Sequence, residues 1–120
     1  MDFQSQPRLT RFDEADRLKA IKEYPIDAAL QEQLDRLARL AARCCDAPIG
    51  LVSIVGDDTQ SFIGKSGVSL CRTPREDSFC AHCMLGVGAM VVPDASVDPR
   101  FSSNPLVTGA PGIRFYAGYP

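Results

Sequence analysis

The segment IGLVSIV, residues 49–55, is apolar along both of its faces. Read as a strand, it sets Ile49, Leu51, Ser53 and Val55 on one side and Gly50, Val52 and Ile54 on the other. Such a strand must be covered from both sides, so it is expected at the centre of a sheet with material packed above and below. The residues before it supply one cover. DAALQEQLDRLARLAARCC reads as a helix capped by Asp27, with Leu30, Leu34, Leu37, Ala41 and Cys44 spaced by four, three, four and three. Leu40 widens that stripe, while Glu32, Asp35, Arg36, Arg39 and Arg43 are assigned to water. The stripe is expected to lie on the sheet. The same spacing suits pairing with a second helix, and the two uses are compatible, so a homodimer through the 28–45 helix is expected as well.

The remaining punctuation completes an α+β domain. RFDEADRLKAIKEY reads as a short charged helix capped by Asp13 and stopped before Pro25, and residues 1–11 read as a flexible leader. GDDTQ is a turn into a second strand, SFIGKSGV, which forms a hairpin with the first. AMVVPDA is a third strand ended by Pro93. SVDPRFSSNPLVTGAPG is a long loop with one helical turn near Phe101. GIRFYAGYP is a fourth strand with Ile113, Phe115, Ala117 and Tyr119 on one face. An aromatic strand left uncovered at a terminus invites edge pairing, so the sequence is expected to be a fragment of a longer chain.

At 120 residues the chain has the length of one domain and can bury a core without disulfides. A formal charge of -2 carries no basic footprint for nucleic acid and no polybasic signal for anionic lipid. MDFQSQPRLTRFDEADR lacks an apolar core, so neither a signal peptide nor a membrane span is expected there. Five cysteines, an odd number without scaffold spacing, point to a reducing cytoplasm.

SFCAHCML, residues 78–85, holds two of those cysteines and the only histidine. In TPREDSFCAHCMLG, Thr73, Pro74 and Glu76 fit a capping box, and a start at Asp77 or Ser78 is equally legible. Gly86 is a natural stop. A metal site drawn from Cys80, His82, Cys83 and Cys71 meets a geometric obstacle: on a helix Cys80 and Cys83 share a face, while His82 projects away from Cys80. No metal is therefore expected. CAHC is also a C-x-x-C, but a hairpin and a charged loop precede it instead of the strand that opens a disulfide oxidoreductase helix. The plain reading of all five cysteines is small buried apolar side chains. For His82 it is a helix histidine bonded to a backbone carbonyl or to Asp94.

The second informative stretch is VPDASVDPRFSSNPLVTGAPGIRFYAGYP. Asp94, Arg100, Asn104 and Arg114 are fixed polar groups among Phe101, Phe115 and Tyr116, the mixture found in small-ligand pockets. The plainer alternative has Asp98 capping the turn at Pro99 to Phe101, with Arg100 paired to a carboxylate. There is no Gly-rich phosphate loop, no G-x-S-x-G and no kinase signature.

LDRLARLAARCCDAPIGLVSIVGDDTQSFIGKSGV, then TPREDSFCAH, then VVPDASVDPRFSSNPLVTGAPGIRFYAG resemble, in order and in spacing, the GAF family. The nearest likeness is to the subgroup at the N-terminus of bacterial sensor histidine kinases and diguanylate cyclases, over residues 12–120. The resemblance implies a GAF/PAS-like central antiparallel sheet, the long helix on one face and a ligand pocket under short helices and loops on the other. FCAHCML would be the pocket helix and DPRFSSNP a pocket-lining turn, with further strands and a closing helix following Pro120. Absence of a late strand that pairs beside the first would split the sheet. The pocket candidates are then Phe79, Cys80, His82, Cys83, Asp94, Arg100, Phe101, Asn104, Arg114 and Tyr116. The implied function is a cytoplasmic regulatory sensory module, not itself an enzyme, which binds a small ligand or chromophore, pairs into a dimer, or both. Any output catalysis would lie beyond residue 120. Some relatives bind cyclic nucleotides and others attach a bilin through a cysteine beside a histidine. Here Ala81 separates Cys80 from His82, so a bilin on Cys80 is not favoured and the cofactor stays open. A thiol-redox protein using Cys80 and Cys83, and a structural dimerisation domain without ligand, are the alternatives.

Overall fold

A computed structural model describes residues 13–120; the leader read over residues 1–11 lies outside them. In chain order the elements are α1 (Glu14–Glu23), α2 (Ala28–Cys44), β1 (Gly50–Val55), β2 (Thr59–Ser66) and β3 (Arg72–Pro74), then a 3-10 turn (Arg75–Asp77). They continue with α3 (Phe79–Cys83), β4 (Met90–Val92), α4 (Pro105–Thr108) and β5 (Tyr116–Gly118). The fold is α+β with antiparallel sheets. Asp13 caps α1 by accepting from the amides of Ala15 and Asp16, and Asp27 caps α2 through Leu30 N.

The strands form two separate antiparallel sheets, β1-β2-β3 and β4-β5. Segment 49–55 is therefore an edge strand of the first sheet, not its centre, and the sheet is split between β1 and the β4-β5 ribbon. β3, built on Arg72–Pro74, pairs with Thr59–Ser61 of β2 and has no counterpart in the sequence reading. It takes up Thr73, the expected capping residue, and the helical start falls at Ser78 instead. The last strand spans only Tyr116–Gly118, with Phe115, Ala117 and Tyr119 exposed on its outer side while Ile113 packs inward against the core.

α2 does lie on β1 and β2, but by another face. Ala38 and Ala42 are buried, whereas Leu30, Leu37 and Leu40 are exposed, as are Ala41 and Cys44. The reason is how closely helix and sheet approach. A side chain at Gly50 would run into the Ala38 carbonyl and stand 3.1 Å from Ala42 Cβ; one at Gly64 would stand 2.8 Å from Leu34 Cβ. Contact this tight selects alanines against glycines, and of the predicted stripe only Leu34, half-buried opposite Gly64, takes part. The flank of the interface is polar. Val52 pairs with Gly64 and Ser53 with Phe62, so Ile63 is an extra residue in β2. Its carbonyl accepts from Gln31 Nε2 on α2. Asp35, assigned to water by pattern, instead accepts from Lys65 N at 2.9 Å.

α1 is fastened to the β1–β2 turn by charge. Arg17 donates to Val55 O, and Glu14 Oε1 lies 2.7 Å from both Arg17 Nη2 and Arg75 Nη1. Arg75 Nη1 also donates to Gly56 O at 2.9 Å. These two guanidinium groups hold the Glu14 carboxyl at about 2, below its ordinary 4.5. A second core gathers Phe79, Val92, Ala95, Phe101 and Val107 between α3, β4 and the segments leading to β5.

Candidate functional site

Ser78 sets the site. It is 1% exposed, its Oγ accepts from Ala81 N at 3.0 Å to start α3, and its hydroxyl bonds the side-chain oxygen of buried Gln60 on β2. The strand-borne Gln60 thus fixes where the helix begins, which decides between the two helical starts in favour of the later one. α3 is one short turn, and it touches β1 on one side and β5 on the other.

Its side chains then diverge. Phe79 turns inward and stacks on Phe101, centroids 4.2 Å apart and planes 9° from parallel, with Tyr116 5.1 Å away on β5. Cys80 meets the Tyr116 hydroxyl, which donates to Sγ at 3.3 Å. His82 goes the other way, as helical spacing requires, and sets its ring edge-on to Phe101 at 5.0 Å. Arg100 lies over the same ring, also at 5.0 Å, in cation–π contact. Cys83 is buried, Cys80 half-buried, and Cys44, Cys45 and Cys71 are exposed. Uniform burial of the five cysteines is thus not what the fold does, since three of them face solvent.

Two clefts meet at His82 and Arg100. The smaller, about 170 Å³, is bounded on one wall by Glu76 and Asp77 and on the other by Ser103, Asn104 and Pro105. The larger, about 460 Å³, runs along Cys83, Leu85, Gly86 and Gly88 to Ala89 and Met90. His82 and Arg100 line both. Asn104 braces the smaller cleft: its Nδ2 donates to Asp77 O at 3.0 Å while its Oδ1 accepts from Leu106 N at 2.8 Å, capping α4. Arg100 is oriented by Asp98, whose carboxylate takes Nε at 3.1 Å and Nη2 at 2.9 Å. Asp98 also accepts from Arg100 N, so the plainer reading of this turn holds as well.

The electrostatics follow from these partners. Partial burial and the Arg100 guanidinium hold His82 below the ordinary imidazole value, so the ring is neutral at pH 7. Arg100 hydrogen-bonded to Asp98 pulls that carboxyl down. Burial raises the Cys83 thiol and, more strongly, the Tyr116 phenol, with the neighbouring thiol of Cys80 adding to both. Tyr116 is therefore a fixed neutral donor.

The ten candidates do not form one constellation. His82, Arg100 and Asn104 line the smaller cleft, and His82, Cys83 and Arg100 the larger. Phe79 and Phe101 are core, with Tyr116 packed against them. Asp94 is exposed and spends its carboxylate on Ser96, through its amide at 3.0 Å and its hydroxyl at 2.6 Å, rather than on His82. Arg114, also exposed, donates to Val107 O at 2.9 Å. Glu76 and Asp77 are legible in the sequence only as capping residues. The Gly86–Gly88 wall carries no sequence signal beyond a helix stop and turn, and Met90 reads only as strand. Among the described residues no cluster of three or more His, Cys, Asp or Glu is placed to hold a metal ion. No helix among them is long and apolar enough to cross a membrane.

A short helix with a capped start, roofing one side of clefts whose other walls are loops, is the arrangement expected of a sensory fold. The profile of the GAF domain matches residues 29–120. The chain belongs to the GAF family. A cyclic di-GMP phosphodiesterase of Pseudomonas aeruginosa is 42% identical to this GAF domain over 95 residues, 79% of the chain. Those residues are 16% of the relative, so this GAF domain spans less than a fifth of the protein it matches. As a GAF domain it is a regulatory module of the sensory, signal-transducing kind.

Proposed function

We propose that this GAF domain senses a small molecule held between the two clefts at His82 and Arg100 and passes the change on through the exposed face of α2, paired with the same face of a second copy. The observation that carries the reading is the shared lining. One neutral imidazole and one guanidinium, both steadied on Phe101, face two adjoining spaces of opposite character. The smaller has two carboxylates opposite a cation and suits the polar end of a ligand; the larger ends in Leu85, Ala89 and Met90 and suits its apolar part. Leu30, Leu37, Leu40, Ala41 and Cys44 favour helix pairing, because α2 buries other residues against the sheet. The relative's printed activity supports a parent protein acting in cyclic dinucleotide signalling, with catalysis carried by other parts of that parent; the odd number of cysteines without scaffold spacing favours the cytoplasm.

The test is thermal melting of the whole chain with cyclic AMP, cyclic GMP, cyclic di-GMP and biliverdin, for the wild type and Arg100→Ala. A ligand that raises the wild-type melting point and leaves Arg100→Ala unmoved supports the site. Equal shifts in both would place binding elsewhere and contradict it. For pairing, Leu37→Glu should convert dimer to monomer in sedimentation; a monomeric wild type contradicts that half of the proposal.

A further inference from the structure

The clefts do not account for the thiols beside them. Cys80 and Cys83 lie one turn apart on α3, and the hydroxyl of Tyr116 on β5 donates to Cys80 Sγ at 3.3 Å. One sulfur is half-exposed and the other buried, whereas the other three cysteines are exposed. Residues three apart on a helix hold their Cβ atoms about 5–6 Å apart, and a disulfide needs about 3.8 Å. The difference is between 1 and 2 Å, roughly. α3 is able to give that much at its C-terminal end. Cys83 is its last residue, and Gly86 and Gly88 follow, the latter with no atom within 4 Å of where a Cβ would stand.

We propose that Cys80 and Cys83 are an oxidisable dithiol that closes to a disulfide with a hydroperoxide as co-reactant, making α3 a redox-responsive element next to the ligand clefts. In the first step the half-exposed Cys80 sulfur gives up its proton and attacks one peroxide oxygen. The O–O bond breaks, and the departing hydroxide takes that proton and leaves as water, with Cys80 now a sulfenic acid. In the second step Cys83 Sγ attacks the Cys80 sulfur, the S–O bond breaks, and the hydroxide leaves as water with the Cys83 proton. Two thiols are oxidised by two electrons, and one hydrogen peroxide is reduced to two waters. Cys80, the more exposed of the two sulfurs, meets peroxide first, and Cys83 acts second. Closing the bond moves the Cys80 sulfur to which Tyr116 donates. Tyr116 is paired to Val92 across the β4–β5 ribbon, so oxidation is felt there and along the cleft wall that Cys83 lines. None of this depends on what the clefts bind.

The experiment uses the whole chain with the three exposed cysteines replaced, Cys44→Ser, Cys45→Ser and Cys71→Ser. After hydrogen peroxide and then N-ethylmaleimide, the proposal predicts a mass lower by two hydrogens, no maleimide, and full labelling restored by dithiothreitol. Uptake of two maleimides after peroxide, or oxygen added at Cys80 with Cys83 still labelled, overturns it. Phenylarsine oxide on the reduced protein is an independent check that needs no oxidant. One arsenic bound per chain, lost in a further Cys83→Ser variant, is expected; no binding to the reduced protein overturns the proximity on which the proposal stands.

Discussion

Replacing Gly64 by alanine tests the contact that organises the α2 face of the domain. The added Cβ stands 2.6 Å from the Leu34 carbonyl carbon and 2.8 Å from Leu34 Cβ. Carbon atoms rest at about 3.5–4.0 Å, so α2 must retreat by roughly 1 Å. The neighbour is helix backbone rather than the end of a flexible side chain, so it does not yield by a rotamer change. Overpacking of this kind costs about 1–3 kcal/mol. Retreat also loosens Ala38 and Ala42, which forfeit about a quarter to a half of their contact energy across a gap of that size. The sum is about 3 kcal/mol, and at several degrees per kcal/mol for a domain of this length the melting point falls by roughly 10 °C. The assay is thermal unfolding followed by far-ultraviolet circular dichroism, with Gly88→Ala as the control. Gly88 has open space around it, so that change is expected to stay within about 0.5 kcal/mol of wild type. If Gly64→Ala melts with the control, α2 does not sit on β2 through this glycine and the packing argument fails.

Ser78→Ala removes the cap of α3 and leaves the buried Gln60 oxygen without its donor, an expected loss of about 2–3 kcal/mol in urea unfolding. A loss no larger than that of an exposed serine such as Ser69 would contradict the role given to Ser78. Acid should loosen the α1 clasp in a defined window. Glu14 has a folded value of about 2 against 4.5, so its contribution is complete above 4.5 and disappears as pH falls from there toward 2. Its side chain is 40% exposed, which screens the effect to about 1 kcal/mol. Glu14→Gln should flatten that part of the stability–pH profile; an unchanged profile refutes it. His82 acts earlier on the same acid limb. Its folded value is also depressed, so stability falls as pH drops below the ordinary imidazole value of 6.5 and the unfolded chain takes up the proton first. His82→Gln should remove that part of the limb in urea unfolding repeated between neutral and mildly acidic pH; a variant that loses stability in parallel with the wild type there refutes the assignment.

Local chemistry is legible in the sequence, and packing choices are not. Asp13 and Asp27 cap their helices because a carboxylate before an apolar-periodic run has few other uses. The β1–β2 hairpin follows from two runs around GDD. The buried face of α2 escapes periodicity, which weights leucine, because the interface is set by how closely Gly50 and Gly64 let the helix approach. Asp35 looks like a solvent residue, and Gln31 carries no signal, until the extra residue in β2 leaves backbone groups for them. Thr73 and Ser78 are equally good helix starts by type. Pairing of β3 with β2, which takes up Thr73, and the bond from Ser78 to Gln60 on β2 together decide between them, and both are long-range. At the site, the opposition of His82 and Cys80 follows from helical geometry alone. The meeting of His82 with Arg100 over Phe101 is a tertiary contact that no spacing announces.

The central claim is that small molecules are recognised where His82 and Arg100 face both clefts. Its most direct test is a nuclear magnetic resonance screen of the isotopically labelled chain against a library of small polar fragments, which works whatever the natural ligand is. The account predicts that binding fragments shift the amide signals of Asp77, His82, Arg100 and Asn104 together, and that Arg100→Ala removes those shifts. Fragments that gather on another surface, with these four signals unmoved, would contradict it.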